Sequence, residues 1–112
     1  MRVYVESNFA LEFARQQEES DHVLALMTLA ESRQISLVLP AFALSEPYST
    51  LACILRDAAS RPASDERCFL SRNTGDFGER DVVEELRTVN CRYIGRFGDG
   101  LSFVRSRLPP NP

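Results

Sequence analysis

Lysine is absent: all thirteen basic residues of this 112-residue chain are arginine. That absence removes whole classes of chemistry. A P-loop nucleotide hydrolase needs a phosphate-binding lysine behind a glycine-rich loop, and the chain has neither. A receiver domain built on a lysine beside its aspartates is excluded, as is Schiff-base catalysis. Histidine occurs once, at His22, and the three cysteines, Cys53, Cys68 and Cys91, form no Cys-x-x-Cys pair and have no histidine at ligand spacing. Zinc is therefore not expected, whereas buried free thiols in a reducing cytoplasm are. No apolar run approaches the length of a membrane span, and Met1-Arg2 leads into a strand rather than a signal peptide, so a cytosolic protein without a membrane partner is expected. A net charge of −3 argues against a passive basic coat for nucleic acid, so any such binding must be local.

What is present is an alternation of short apolar runs and helical patterns. Val3 to Val5, Ile35 to Leu39, Cys68 to Ser71 and Cys91 to Ile94 read as strands, the second apolar enough to be covered on both faces. Helical spacing follows in Phe9, Ala10, Phe13 and Ala14, with Asn8 placed to cap, and again from Asp21 to Arg33. A third helix starts near Ser45, since Pro47 suits only a first turn, and carries a stripe of Leu44, Tyr48, Leu51 and Leu55. Asn73 to Gly78 reads as a loop, Asp81 to Thr88 as a helix, and Asp99 as the cap of a last helix. The order predicts an α/β three-layer sandwich with a four-stranded parallel sheet, one domain over 1–108 and a frayed, disordered tail over 109–112.

In such a sheet the carboxyl ends of all strands share one edge, where side chains from distant segments meet. Glu6 and Asn8 follow the first strand, Glu46 the second, and Arg72, Asn73 and Asp76 the third. Clustered carboxylates without histidine or cysteine partners favour hard cations, magnesium or manganese, which keep several waters and need few protein carboxylates. Metal-dependent hydrolysis of a phosphodiester suits such a site. Each residue also has a plainer use: Glu6 and Glu46 as acids at helix starts, Asn73 and Asp76 as turn formers, Arg72 as a salt-bridge partner of a nearby acid.

Three segments, Val3-Tyr4-Val5-Glu6-Ser7-Asn8-Phe9, Leu39 through Glu46 to Tyr48, and Cys68-Phe69-Leu70-Ser71-Arg72-Asn73-Thr74-Gly75-Asp76-Phe77, resemble in this order the acidic motifs of PIN-domain proteins. The resemblance implies a Rossmann-like fold and a magnesium- or manganese-dependent ribonuclease, of the kind found as toxins of toxin–antitoxin pairs. It implies Glu6 and Glu46 as the catalytic, metal-holding acids, Asn73 and Asp76 completing the metal shell, RNA as substrate and an antitoxin-type protein as partner; Arg72, beside the acidic loop, is a candidate contact for a substrate phosphate because guanidinium pairs with phosphate in bidentate fashion. The chain departs from the family pattern in having Glu6 for an aspartate and Asn73 where an aspartate is usual. It also departs near residues 51–52, where a helical excursion and the acid opening the return helix are missing. Asp57 lies past that acid's expected place and reads as solvated. A second reading follows from these losses: a catalytically inactive PIN-like binding or dimerisation module. Lost helices would uncover Phe9, Phe13, Leu44 and Tyr48, and a homodimer is expected to cover them.

Overall fold

Alternation along two central strands divides the core in two. In a computed structural model, which describes residues 1–39 and 47–109 apart from the side chains of residues 7 and 47–49, β1 (Arg2–Val5) and β3 (Arg67–Leu70) lie side by side. β2 (Ser36–Val38) flanks β1 and β4 (Cys91–Ile94) flanks β3, so the order is β2-β1-β3-β4, all parallel. Successive strand side chains point to opposite faces. Val3, Val5, Cys68 and Leu70 face one layer of helices, α1 (Ser7–Ala14), α2 (Ser20–Glu31) and α6 (Phe97–Arg107), through Phe9, Val23, Leu26, Leu101 and Val104. Tyr4 and Phe69 face the other, α3 (Pro47–Ala59), α4 (Thr74–Phe77) and α5 (Arg80–Arg87), through Ile54, Ala58, Phe77 and Leu86. The three-layer α/β sandwich expected from the strand and helix order is the observed architecture. No helix among the described residues is long and apolar enough to cross a membrane.

Local details depart from the sequence reading. The second strand is three residues long and only partly covered, because it is the sheet edge beyond β1 and has a neighbour on one side only. The loop expected over 73–78 contains the short helix α4, capped by Asn73. Asn8 lies inside α1, whose N-cap is Glu6, and Asp99 lies in the first turn of α6, whose N-cap is Arg96. α6 instead receives its anionic cap from the residue before α2: the Glu19 carboxylate accepts from Phe97 N at 3.2 Å and Gly98 N at 3.1 Å. Phe9 is buried, its ring edge-on to Phe97 at 5.4 Å, because α6 covers it; Phe13 is 41 % exposed. Pro47 begins α3, and the helix runs unbroken through residues 50–52, where the sequence suggested a join. Cys68 and Cys91 are buried and Cys53 half-buried, all three free. Leu44, the side chain of Tyr48 and the last three residues of the expected tail lie outside the described residues.

Gly100 lets α6 settle onto β3. A Cβ there would stand 2.5 Å from Leu70 Cδ2 and 2.8 Å from Cδ1, on a side chain with no exposed surface to move into. Gly100→Ala is therefore expected to destabilise by about 1–3 kcal/mol through overpacking, exceeding the roughly 1 kcal/mol that alanine gains in a helix. Urea denaturation measures it, and an unchanged midpoint would show that α6 has slack.

Asp57 is not left to solvent. It takes hydrogen bonds from Arg2 Nε at 2.7 Å, Tyr4 Oη at 2.6 Å and Arg61 Nε at 3.3 Å, tying α3 to the start of β1. Burial opposes ionisation of this carboxyl, but the bonds from Tyr4, Arg2 and Arg61 outweigh it and hold it down at about 2. A depressed folded value gives stability that is present above the ordinary aspartate range and lost as pH falls through about 2. Asp57→Asn is expected to cost about 1–2 kcal/mol at neutral pH after allowance for solvent screening, the deficit shrinking on acidification. Paired melting curves across acid pH test this; a deficit independent of pH would contradict it.

Candidate functional site

The chain leaves β1 for β2 on one side and later returns to place β3 on the other, and the helices that follow β1 and β3 pack on opposite faces of the sheet. A crevice forms at such a switch point in a parallel α/β sheet. Glu6 follows β1 into it and Ser71 follows β3, and the two meet although 65 residues separate them: Ser71 Oγ donates to Glu6 Oε1 at 2.5 Å. Asn8 Nδ2 donates to the same oxygen at 2.7 Å. Glu6 is 8 % exposed, and its Oε2 takes no hydrogen bond among the described residues. One carboxylate oxygen is thus held by two donors, and the other takes none from the described residues.

The surroundings of Glu6 hold their own positions through β3 and β4. Ser71 Oγ accepts from Asn73 N at 3.1 Å, and Tyr93 Oη donates to Ser71 O at 2.6 Å. Asn73 is spent on α4: its Oδ1 accepts from Asp76 N at 3.3 Å while its Nδ2 donates to Asp76 Oδ2 at 2.5 Å. This reciprocal cap fixes the Asp76 carboxylate at the crevice mouth. Burial raises the Glu6 carboxyl above the ordinary glutamate range, the Ser71 bond opposes it, and the negative charge of Asp76 adds to the rise. Tyr93 is pushed up to about 12 by burial and by the Glu6 charge. Two carboxylates therefore act on one another at this edge, an arrangement a cation relieves.

Asn8 Oδ1 is buried and has no hydrogen-bond partner among the described residues. An unmet buried carbonyl oxygen costs about 1–3 kcal/mol, and here it stands beside Glu6. The donors are all oxygen: Glu6 Oε2, Asn8 Oδ1 and Asp76. They fit a hard divalent cation that keeps most of its waters, and they do not fit zinc. Among the described residues no group of three or more His, Cys, Asp or Glu side chains stands as a metal cluster, and Glu46 lies outside those residues. No family model, curated protein or solved structure matches this chain.

Of the residues singled out from sequence, the fold brings Glu6, Asn73 and Asp76 to one crevice. Arg72 points elsewhere, donating to Glu12 Oε1 at 2.9 Å and lying 3.6 Å from Glu19 Oε2. A phosphate would have to compete with both acids for it. Glu12 itself is buried and also accepts from Glu19 N at 2.7 Å, so these residues lock α1, the start of α2 and the end of β3 together. His22, half-exposed, lies 4.0 Å from Glu19. Sequence reasoning passed over Asn8 as a ligand, Ser71 and Tyr93. Asn8 was legible from its place two residues beyond Glu6; the other two were not, since their roles depend on the β1–β3–β4 pairing.

Proposed function

We propose that the crevice binds magnesium or manganese and hydrolyses RNA phosphodiesters in the manner of a PIN-like ribonuclease. The observation that carries this reading is the half-held Glu6 carboxylate beside the unpartnered Asn8 Oδ1, with Asp76 at the same edge. Glu6, Asn8 and Asp76 hold the ion, joined by Glu46 as the sequence resemblance implies. A bound divalent ion would polarise the phosphodiester and make hydroxide available at neutral pH. Ser71 and the Asn8 amide nitrogen keep Glu6 Oε1 in place, so that Oε2 alone turns to the ligand. Tyr93, anchored on Ser71 O, holds the end of β3 against β4. Asn73 orients Asp76 through its side-chain amide. In a toxin-type protein, the partner is an antitoxin-type chain.

The test is cleavage of single-stranded RNA with manganese, magnesium or chelator by wild type, Glu6→Gln and Asp76→Asn. Metal-stimulated cleavage lost in Glu6→Gln supports the reading, whereas equal cleavage by all three proteins rules it out.

A binding or dimerising module without turnover is the second reading. It is favoured by an apolar groove of about 270 Å³ beside Glu6, lined by Val5, Phe9, Phe13, Met27 and Leu39, with Leu39 54 % exposed. Sedimentation separates the two. A homodimer with no metal-dependent turnover supports the module, and an active monomer supports the nuclease.

A further inference from the structure

We propose that the opposite edge of the sheet, where the strands begin, carries a phosphate-binding site centred on Arg67. Arg67 opens β3 and is 2 % exposed. Its guanidinium donates to two neutral acceptors, Val89 O and Pro62 O, and its buried Nε has no partner among the described residues. No carboxylate among the described residues forms an ion pair with it. Carbonyl oxygens satisfy N–H groups but leave the charge unbalanced, and arginine does not neutralise itself by losing its proton. A buried guanidinium without a counter-charge therefore calls for an anion.

There is room for one. Cavities of about 620 Å³ and about 310 Å³ meet at Arg67. Arg2, Arg61 and Arg107 line the first, and Arg87 and Arg92 the second. Six of the thirteen arginines thus gather at one edge of a protein whose net charge is negative. Three acids stand here: Asp57 is shared by Arg2 and Arg61, Glu66, which lines both cavities, lies 3.2 Å from Arg107, and Asp65 lines the larger cavity. Register places Arg2 directly beside Arg67 on the neighbouring strand, so two guanidiniums start adjacent strands side by side. Guanidinium forks match the oxygens of a phosphate group, and the larger cavity has the volume of a small-molecule site. The ligand class is a phosphate carried as inorganic phosphate or on a nucleotide.

This site is separate from the strand-end crevice and does not depend on it. The test is calorimetric titration of the full chain, in chelator so that no divalent ion takes part, with inorganic phosphate and with a nucleoside 5′-monophosphate. Saturable binding of either is expected, weakened roughly tenfold or more in Arg67→Gln, as loss of charge-assisted hydrogen bonds requires. Tighter binding of the nucleotide identifies it as the ligand, and equal binding identifies free phosphate. Should Arg67→Gln not fold, Arg61→Gln and Arg107→Gln, both on the partly exposed rim, are expected to weaken binding several-fold. No saturable binding of either compound overturns the proposal, as does binding that a folded Arg67→Gln, or both rim variants, leaves unchanged.

Discussion

Glu6→Gln is expected to raise the melting temperature of the metal-free protein at neutral pH while weakening manganese binding by roughly a hundredfold or more. The two effects share a cause. The substituted amide keeps an oxygen to accept from Ser71 and Asn8, so the geometry of the crevice mouth persists. What disappears is a charge held in a buried place beside Asp76, and the raised Glu6 carboxyl shows that the folded protein disfavours that charge. A folded value above the unfolded one gives stability that is full below the ordinary glutamate range and lost as pH rises through the folded value. The wild type should therefore fall behind Glu6→Gln as pH is raised, and saturating manganese should restore only the wild type, by mass action on the folded state. Melting curves against pH, with and without manganese, measure both arms. A variant less stable than wild type at every pH would mean that Glu6 serves as a structural cap, and the metal reading would lose its support.

Phe69→Ala is expected to cost about 3–5 kcal/mol, a large share of the roughly 5–15 kcal/mol available to a domain of this size. Phe69 has no exposed surface and is the hub of the second core, edge-on to Phe77 at 4.9 Å and to Tyr93 at 5.9 Å. Both contacts bear on the crevice. Phe77 ends the four-residue helix α4 that presents Asp76, and a helix so short is stable only through packing and its cap. Phe69→Leu keeps most of the volume and is expected to cost about 1.5 kcal/mol or less. Denaturant midpoints give the stabilities. Hydrogen exchange at the Phe77 and Gly78 amides, bonded to Asn73 O and Thr74 O, reports on α4 and should quicken in Phe69→Ala well beyond Phe69→Leu. Equal exchange in the two variants would show that the Asn73 cap alone maintains α4.

The fold class was legible in the sequence, because strand and helix periods alternate along the chain and parallel strands need helical crossovers. So was the shared edge of Glu6, Asn73 and Asp76, since each closely follows an apolar strand. Chemistry by exclusion was legible too: without lysine, neither P-loop nor Schiff-base chemistry is open to this chain. Partnerships between residues far apart in sequence emerged with the folded arrangement alone. The Ser71 bond to Glu6, the diversion of Arg72 to Glu12 and Glu19, and the holding of Asp57 by Arg2 and Tyr4 each join segments more than fifty residues apart. Local pattern carries no information about such pairs, which strand order and helix packing create. The edge position of β2 and the burial of Phe9 under α6 were hidden for the same reason, since an apolar residue has the same local signature whether or not a neighbour covers it. The buried Arg67, without an ion-pair partner among the described residues, is the sharpest instance: in sequence it is one arginine among thirteen, and only its place at the start of a central strand deprives it of solvent.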